Sequence, residues 1–266
     1  MKLTILLLFL VSLKLMNFKS FSDKKKYTSS SYYKKFSTLS NKKPGKKFRV
    51  FLLSKLNIKS FWHYINLQNT DNTYNMVIEI PKKTRAKFEL SKEETKNPIK
   101  QDIDKTTKNL RFYKIDPIFN YGFFPQTWEN SAKTYFGKYK GDDDPYDVVE
   151  IGKKVYKTGE VVKVRVLGAF CLIDHGEVDW KIIVINNKEY EDYQLNKRKY
   201  RKKFKKIMNW FKIYKTYEGK KVNKIMFNDK IFSIRKTKKL IEEGYNDYLR
   251  LKSFQIKGVD YKKYHF

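Results

Sequence analysis

Between residues 76 and 185 the apolar and polar positions alternate with the two-residue period of strands. Residues 76–80 read as a short strand, 81–85 as a turn opened by Pro81, and 86–90 as a second strand in which charge and apolarity alternate. Residues 148–151, 161–170 and 181–185 add three more candidates, rich in β-branched side chains and separated by Gly-containing turns. Short strands at such spacing make a barrel-like pattern. The period then changes. Tyr200, Phe204, Ile207 and Phe211 recur three and four residues apart, with eight Lys/Arg between Lys197 and Lys206 on the remaining faces, so 197–211 is predicted to be an amphipathic helix. Asp229 is placed to cap a second helix whose apolar stripe is Leu240, Ile241, Tyr245 and Tyr248. The chain contains no internal repeat.

The N-terminal stretch has a different character. Lys2 precedes an apolar run from Leu3 to Leu13, interrupted only by Thr4 and Ser12 and closed by Lys14. That is the charged start and short core of a signal peptide, too short to span a bilayer as a helix. Residues 17–59 follow, rich in Lys, Ser and Tyr and nearly free of acids, which is the composition of a transit peptide. Together they predict a targeting leader over 1–59, largely disordered, ahead of a catalytic domain over 60–266. The pair is similar to the bipartite leaders that direct proteins through the secretory route to a secondary plastid of the apicoplast type. The alternative is an ordinary secretory signal followed by a disordered basic tail, giving a secreted protein, or a cytoplasmic protein; no clear small-residue cleavage site follows Leu13, which counts against both leader readings. No membrane span is expected in the mature protein.

Composition sets the class and then qualifies it. With 266 residues, 41% of them hydrophobic and 17% aromatic, the chain can bury a sizeable core. The net charge of +31 points to an anionic partner: nucleic acid, a membrane surface or an anionic substrate. Residues 1–70 carry 15 Lys/Arg and one acid, Asp23, whereas nearly all other carboxylates fall between Glu79 and Asp260. The clustered acids are the informative minority. Cys171 is the sole cysteine, which excludes an intrachain disulfide and any cysteine-rich zinc site; its apolar surroundings predict a buried, inert thiol.

The segment 141–147, GDDDPYD, packs four carboxylates into six positions, and their mutual repulsion calls for hard divalent cations. Pro145 keeps Asp144 extended and stiffens the loop. Further on, Asp174 and Asp179 lie on either side of a Gly turn between two apolar strands, so two acidic loops at strand ends can face one cleft. An EF-hand is excluded by the ligand spacing. A second group is basic and aromatic: Lys87, Arg111, Tyr121, Lys181, Tyr214 and Lys215, residue types that donate hydrogen bonds to phosphate oxygens.

The runs FWHYINL (61–67), NMVIEIPKKTRAKFELSKEETKNPIKQD (75–102), LRF (110–112), NYGFFPQTWEN (120–130), GDDDPYDVVEIG (141–152), GEVVKVRVLGAF (159–170), LIDHGEVDWKIIVI (172–185) and WFKIYK (210–215) resemble the soluble inorganic pyrophosphatases, their eukaryotic branch in particular. They cover most of 61–215 in the family's order. The resemblance implies an α+β, mainly β fold: a five-stranded OB-like β-barrel flanked by helices. It implies hydrolysis of diphosphate to two orthophosphates by a metal-bridged hydroxide, with Asp144 as proton acceptor and several Mg2+ ions as cofactors. By the same resemblance Asp142, Asp147, Asp174 and Asp179 would be metal ligands, with Glu89 holding a further metal beside the substrate. Glu79 would be an outer-shell acid. Lys87, Arg111, Tyr121, Lys181, Tyr214 and Lys215 would bind the pyrophosphate.

Three departures qualify the resemblance. His175 stands where the family usually has Glu, so the metal site at Asp174 is expected to be weaker or pH-dependent. Lys82-Lys83 replace an Arg-Trp pair, and the segment from Arg111 to Tyr121 is short; both regions form the branch's dimer contact, so a homodimer is possible but its usual contact residues are altered. The competing readings are an OB-like nucleic-acid-binding protein and a catalytically impaired homologue. The acidic cleft argues against the first, because it would repel a phosphodiester backbone, and nucleic acid is not an expected partner.

Overall fold

The computed structural model describes residues 28–29, 36–40 and 45–266. In chain order the first strands are β1 (Thr28–Ser29), β2 (Phe36–Ser40), β3 (Val50–Ser54), β4 (Asn57–Lys59), β5 (Tyr74–Ile80), β6 (Phe88–Leu90) and β7 (Ile99–Gln101). They are followed by β8 (Asn120–Phe123), β9 (Thr134–Tyr135), β10 (Tyr139–Gly141), β11 (Asp147–Glu150), β12 (Val161–Asp174) and β13 (Glu177–Asn186). The helices α1 (Tyr190–Leu195) and α2 (Lys197–Ile213) precede β14 (Lys224–Ile225), and α3 (Ile234–Lys252) is followed by a short 3-10 helix, Tyr261–Tyr264.

Five of these strands pair in a ring. β5 pairs with β8, β8 with β11, β11 with β13, β13 with β12, and β12 returns to β5. Only β11–β13 is parallel. The expected five-stranded mainly β architecture with flanking helices is thus present, and closure removes the edges of the sheet. The 14-residue β12 serves two neighbours because a register shift between Val166 and Gly168 bends it: its start pairs with β5 and the remainder with β13. Close approach of β5 and β8 requires Gly122, where a Cβ would lie 1.9 Å from Val77 O.

Alternation then sorts side chains to two cores. Val77, Phe123, Val149, Phe170 and Ile183 face inward and are covered by α2, whose Tyr200, Phe204, Ile207 and Phe211 are all buried, as their spacing predicts. Burial of each such side chain contributes about 1.5–3 kcal/mol. Met76, Ile78, Val148, Ile182 and Val184 face outward and pack under α3 through Leu240 and Ile241. Cys171 is fully buried there, and burial pushes its thiol pKa up, which makes it inert.

One expectation is corrected. The second helix is capped by Ser233, whose hydroxyl accepts from Lys236 N at 3.4 Å; Asp229 lies in a turn with φ 60° and pairs with Lys212. Strands also occur ahead of residue 60. β3 pairs with β2, β4 and, through Val50 and Ile99, with β7; Val50 and Leu52 are buried, and Arg49 bridges to Glu94 at 2.6 Å. The apolar run of the leader, Leu3 to Leu13, lies outside the described residues. No helix among the described residues is long and apolar enough to cross a membrane.

Candidate active site

The barrel ring places its acids at one end of the inward face. Asp147 opens β11 in register with Lys181 on β13, and Asp179 precedes Lys181 by two residues, so all three share a face. Tyr121 on β8 pairs with Val149 and joins them from the neighbouring strand. The β12–β13 hairpin turns at His175 and Gly176, with φ of 49° and 88°, a two-residue turn in which both central residues have positive φ. It sets Asp174 opposite Glu177 and leaves the His175 ring largely exposed, with Nε2 3.7 Å from Asp174 Oδ1.

The loop after β10 supplies the rest. Gly141 fits because a Cβ there would meet the backbone oxygens of Glu129 and Asn130 at 2.5 and 2.7 Å. Asp142 folds back to accept from Asp144 N at 3.0 Å, and Asp144 stays half-exposed, its Oδ1 2.8 Å from Lys92 Nζ. A cleft of about 490 Å³ results. It is lined by Asp142, Asp144, Asp147, Asp174 and Asp179, by Glu79 and Glu89, and by Lys87, Tyr121, Lys181 and Tyr214. Arg111 and Lys215 stand one residue behind its wall: Arg111 donates to Asp102 Oδ2 at 2.6 Å, and Lys215 to Asp174.

Ionisation in the cleft follows from crowding. Burial, then the Asp144 and Asp179 carboxylates, raise Asp142 well above the usual carboxylate range. Burial pushes Asp179 up to about 7, against the pull of Lys181 and with the help of Asp147. Glu79, buried and near Asp147, is raised well above its ordinary value although Leu90 N donates to it at 2.6 Å. Burial alone would discharge Lys181, but Asp147 and Asp179 outweigh it and hold the ammonium charged. The second of these pairs measures 2.5 Å. Lys215 shows the opposite balance: burial lowers its pKa despite Asp174.

Such upward shifts mark negative charge with too little compensation, the condition a divalent cation relieves. Carboxylate oxygens of Glu129, Asp142 and Asp179 lie within 4.8 Å of one another, an all-oxygen donor set suited to a hard cation. Facing it, Lys87 is held charged by Glu89 and Asp102 in spite of its burial, at 3.0 and 2.7 Å. The cleft therefore has an acidic wall that can hold cations and a basic, hydroxyl-bearing wall that can hold a polyanion.

The family model of inorganic pyrophosphatase matches residues 76–249, about two-thirds of the chain and the whole span that builds this cleft. The chain belongs to the inorganic pyrophosphatase family. It is 37% identical over 218 residues to the protein named soluble inorganic pyrophosphatase 1, chloroplastic, of Chlamydomonas reinhardtii, covering 79% of this chain and 77% of that one. Among solved structures it is similar to the type I inorganic pyrophosphatase of Toxoplasma gondii, with TM-score 0.74, 35% identity and coverage of 81% of this chain and 99% of that. The P. falciparum enzyme of the same type gives TM-score 0.77 and 34% identity, covering 88% and 80%.

Reading the sequence missed several residues of this pyrophosphatase-family cleft. Glu129 is fully buried, accepts from Trp180 N at 3.2 Å and is raised well above its ordinary pKa by burial and then by Asp142 and Asp179. The signal was an acid inside the aromatic run FPQTWEN, in a segment that otherwise reads as core. Asp102 joins Lys87 to Arg111, and Lys92 reaches Asp144; nothing in their local sequence distinguishes them from the surrounding charged residues.

Proposed function

We propose that this chain hydrolyses inorganic pyrophosphate to two phosphates, with Asp144 as proton acceptor for the attacking water and magnesium as the cofactor. The two-walled charge arrangement of the cleft is the observation that carries the reading. Asp142, Asp147 and Asp179, with Glu129, would hold the cations from the end of the barrel; Asp174 and Glu89 extend the acidic lining toward either side. Magnesium, when bound, lowers the pKa of coordinated water and offsets the substrate's negative charge. The chain's own residues do the remainder. Lys87, Lys181 and Tyr121 donate to phosphoryl oxygens, and Tyr214 adds a neutral donor from the end of α2. Arg111 and Lys215 add positive field from behind, through Asp102 and Asp174. Asp144, half-exposed and paired with Lys92, is the least buried of the loop's acids and the one placed to take a proton and return it to solvent. Glu79, which accepts from Leu90 N at 2.6 Å, would be an outer-shell acid orienting basic residues and metal-bound waters.

The nucleic-acid alternative is disfavoured by the same acidic lining. For the leader we propose a plastid destination reached through the secretory route, supported by its composition and by the chloroplastic relative. For the subunit contact, Lys82 turns inward to donate to Gly152 O at 2.5 Å, which supports an altered or absent dimer contact at that place.

The decisive experiment measures phosphate release from pyrophosphate by the full chain over a range of magnesium concentrations. Release that depends on magnesium is the expected result. No release at any concentration, from protein that folds, sinks the proposal.

A further inference from the structure

Between Asp142 and Asp144, which line the cleft, stands an acid that does not. Asp143 has φ 70°, and its side chain points away from the cleft into a nest of donors. Its Oδ1 accepts from Trp128 Nε1 at 3.0 Å, Ser131 Oγ at 3.0 Å and Tyr264 OH at 2.7 Å. Its Oδ2 accepts from Lys263 Nζ at 2.6 Å and from Lys92 Nζ at 3.2 Å. Two of these five donors belong to the last four residues of the chain.

Those residues are themselves fixed. Tyr264 is fully buried, with ring centroids 5.8 Å from Trp62 and 6.3 Å from Trp128, and its carbonyl accepts from His63 Nε2 at 2.9 Å and Asn97 Nδ2 at 3.3 Å. They lie beyond residue 249, where the family match ends.

Asp tolerates a left-handed φ at modest cost, and the five donors around its carboxylate fix Asp143 in that conformation here. Release of Asp143 would let the backbone relax, and that rotation would move the flanking Asp142 and Asp144 out of their present arrangement. Holding like charges together ahead of cation binding is preorganisation: once the arrangement is lost, each cation must impose order on the loop again.

We propose that the C-terminal residues Lys263 and Tyr264 form a latch that positions the metal-binding loop through Asp143. This rests on the reading of Asp142 as a metal ligand. Asp143, Lys263 and Tyr264 are positioning residues; none lines the cleft. The latch acts on cation affinity and leaves the reaction at saturating cation nearly unchanged.

The test is a calorimetric titration of magnesium into the full chain without substrate, for wild type, Tyr264→Phe, Asp143→Asn and the double variant, with melting temperatures and turnover at saturating magnesium. Tyr264→Phe keeps the buried ring and removes only the hydroxyl. We expect it to weaken magnesium binding about fivefold, the scale of one ordinary net hydrogen bond, with turnover at saturating magnesium within about twofold of wild type. In the Asp143→Asn background the same change should add less than it does alone, because both act through one contact. Lys263→Gln, at a side chain partly open to solvent, repeats the test should Tyr264→Phe lose its fold. Unchanged affinity in both single tail variants, or strict additivity, overturns the latch. A wild-type chain that binds no magnesium overturns the metal-site reading and the latch with it.

Discussion

Asp147→Asn separates the catalytic from the structural consequences of the acidic cleft. The substitution keeps the size and one acceptor oxygen but removes a charge that several neighbours sense. Tyr121 OH and Lys181 Nζ both donate to the Asp147 carboxylate, and Asp147 also helps to raise the pKa of Glu79, Glu129, Asp142 and Asp179. For each charge at about 4 Å the interaction is about 4 kcal/mol at an effective dielectric near 20. Repulsion from the surrounding acids opposes the attraction to Lys181, reduced where their raised pKa leaves them protonated. Lys181 also retains Asp179 at 2.5 Å, so it is not left buried and unpaired. The net change in metal-free stability should be within about 2 kcal/mol and of either sign.

Activity has no such cancellation. If Asp147 holds a cation as proposed, its substitution would weaken both cation affinity and the field on the attacking water, so turnover should fall by at least about three orders of magnitude, roughly 4 kcal/mol of barrier. The assay is phosphate release at saturating pyrophosphate over a magnesium series, with thermal melts of the same preparations without metal. A variant that melts like wild type and turns over at a wild-type rate would refute the assignment of Asp147. Recovery of full rate at high magnesium would restrict its role to affinity.

Three further outcomes follow from particular contacts. In Asp179 the folded pKa of about 7 lies above the ordinary 3.8, so the stabilisation its protonation gives is present at low pH and is lost as pH rises between those values; metal-free protein should melt lower at pH 8 than at pH 5, and excess magnesium should raise the pH 8 value most. A flat or rising profile in metal-free melts would contradict that electrostatic account. Removal of residues 1–59 takes away buried Val50 and Leu52, together about 3–6 kcal/mol, and should lower Tm by roughly 10 °C while the cleft residues remain; equal melting of this truncation and the full chain would show that β3 contributes nothing. At Gly244 a Cβ would sit 2.2 Å from Tyr146 Cε2, so Gly244→Ala should lose about 1–2 kcal/mol, or about 3–6 °C in Tm, despite the better helix propensity of Ala.

Local pattern carried much of this architecture. Alternation and β-branched content located β5, β11, β12 and β13, and the 3.6-residue period located α2 with its buried stripe. Length was underestimated where the pattern degrades: β12 runs to Asp174 and β13 starts at Glu177, since the hairpin end carries acids directed at the cleft and not at a core. The N-terminal strands were hidden by composition. The described residues 45–59 are rich in Lys, yet a single buried pair, Val50 and Leu52, supplies an apolar face that docks on β7. Asp229 failed as a cap because Ser233, four residues later, stands directly before the first helical residue and can reach Lys236 N.

The site was legible where charge was concentrated in sequence and illegible where it was assembled in space. Asp142, Asp144 and Asp147 share one loop, and Asp174, Asp179 and Lys181 share one hairpin, so their proximity required only a turn. Glu129 comes from the loop beneath them, and Lys92 and Asp102 from either side of a strand on the other sheet; only the closed ring brings these to the same cleft. The net charge of +31 behaves in the same way. Residues 1–70 contribute +14 of it (15 Lys/Arg less one acid), and the remaining +17 over 71–266 still has the opposite sign to the wall that gathers the acids. Under the proposed function that inversion has a use: a basic body would draw a polyanion inward, and an acidic wall neutralised by cations would no longer oppose its arrival.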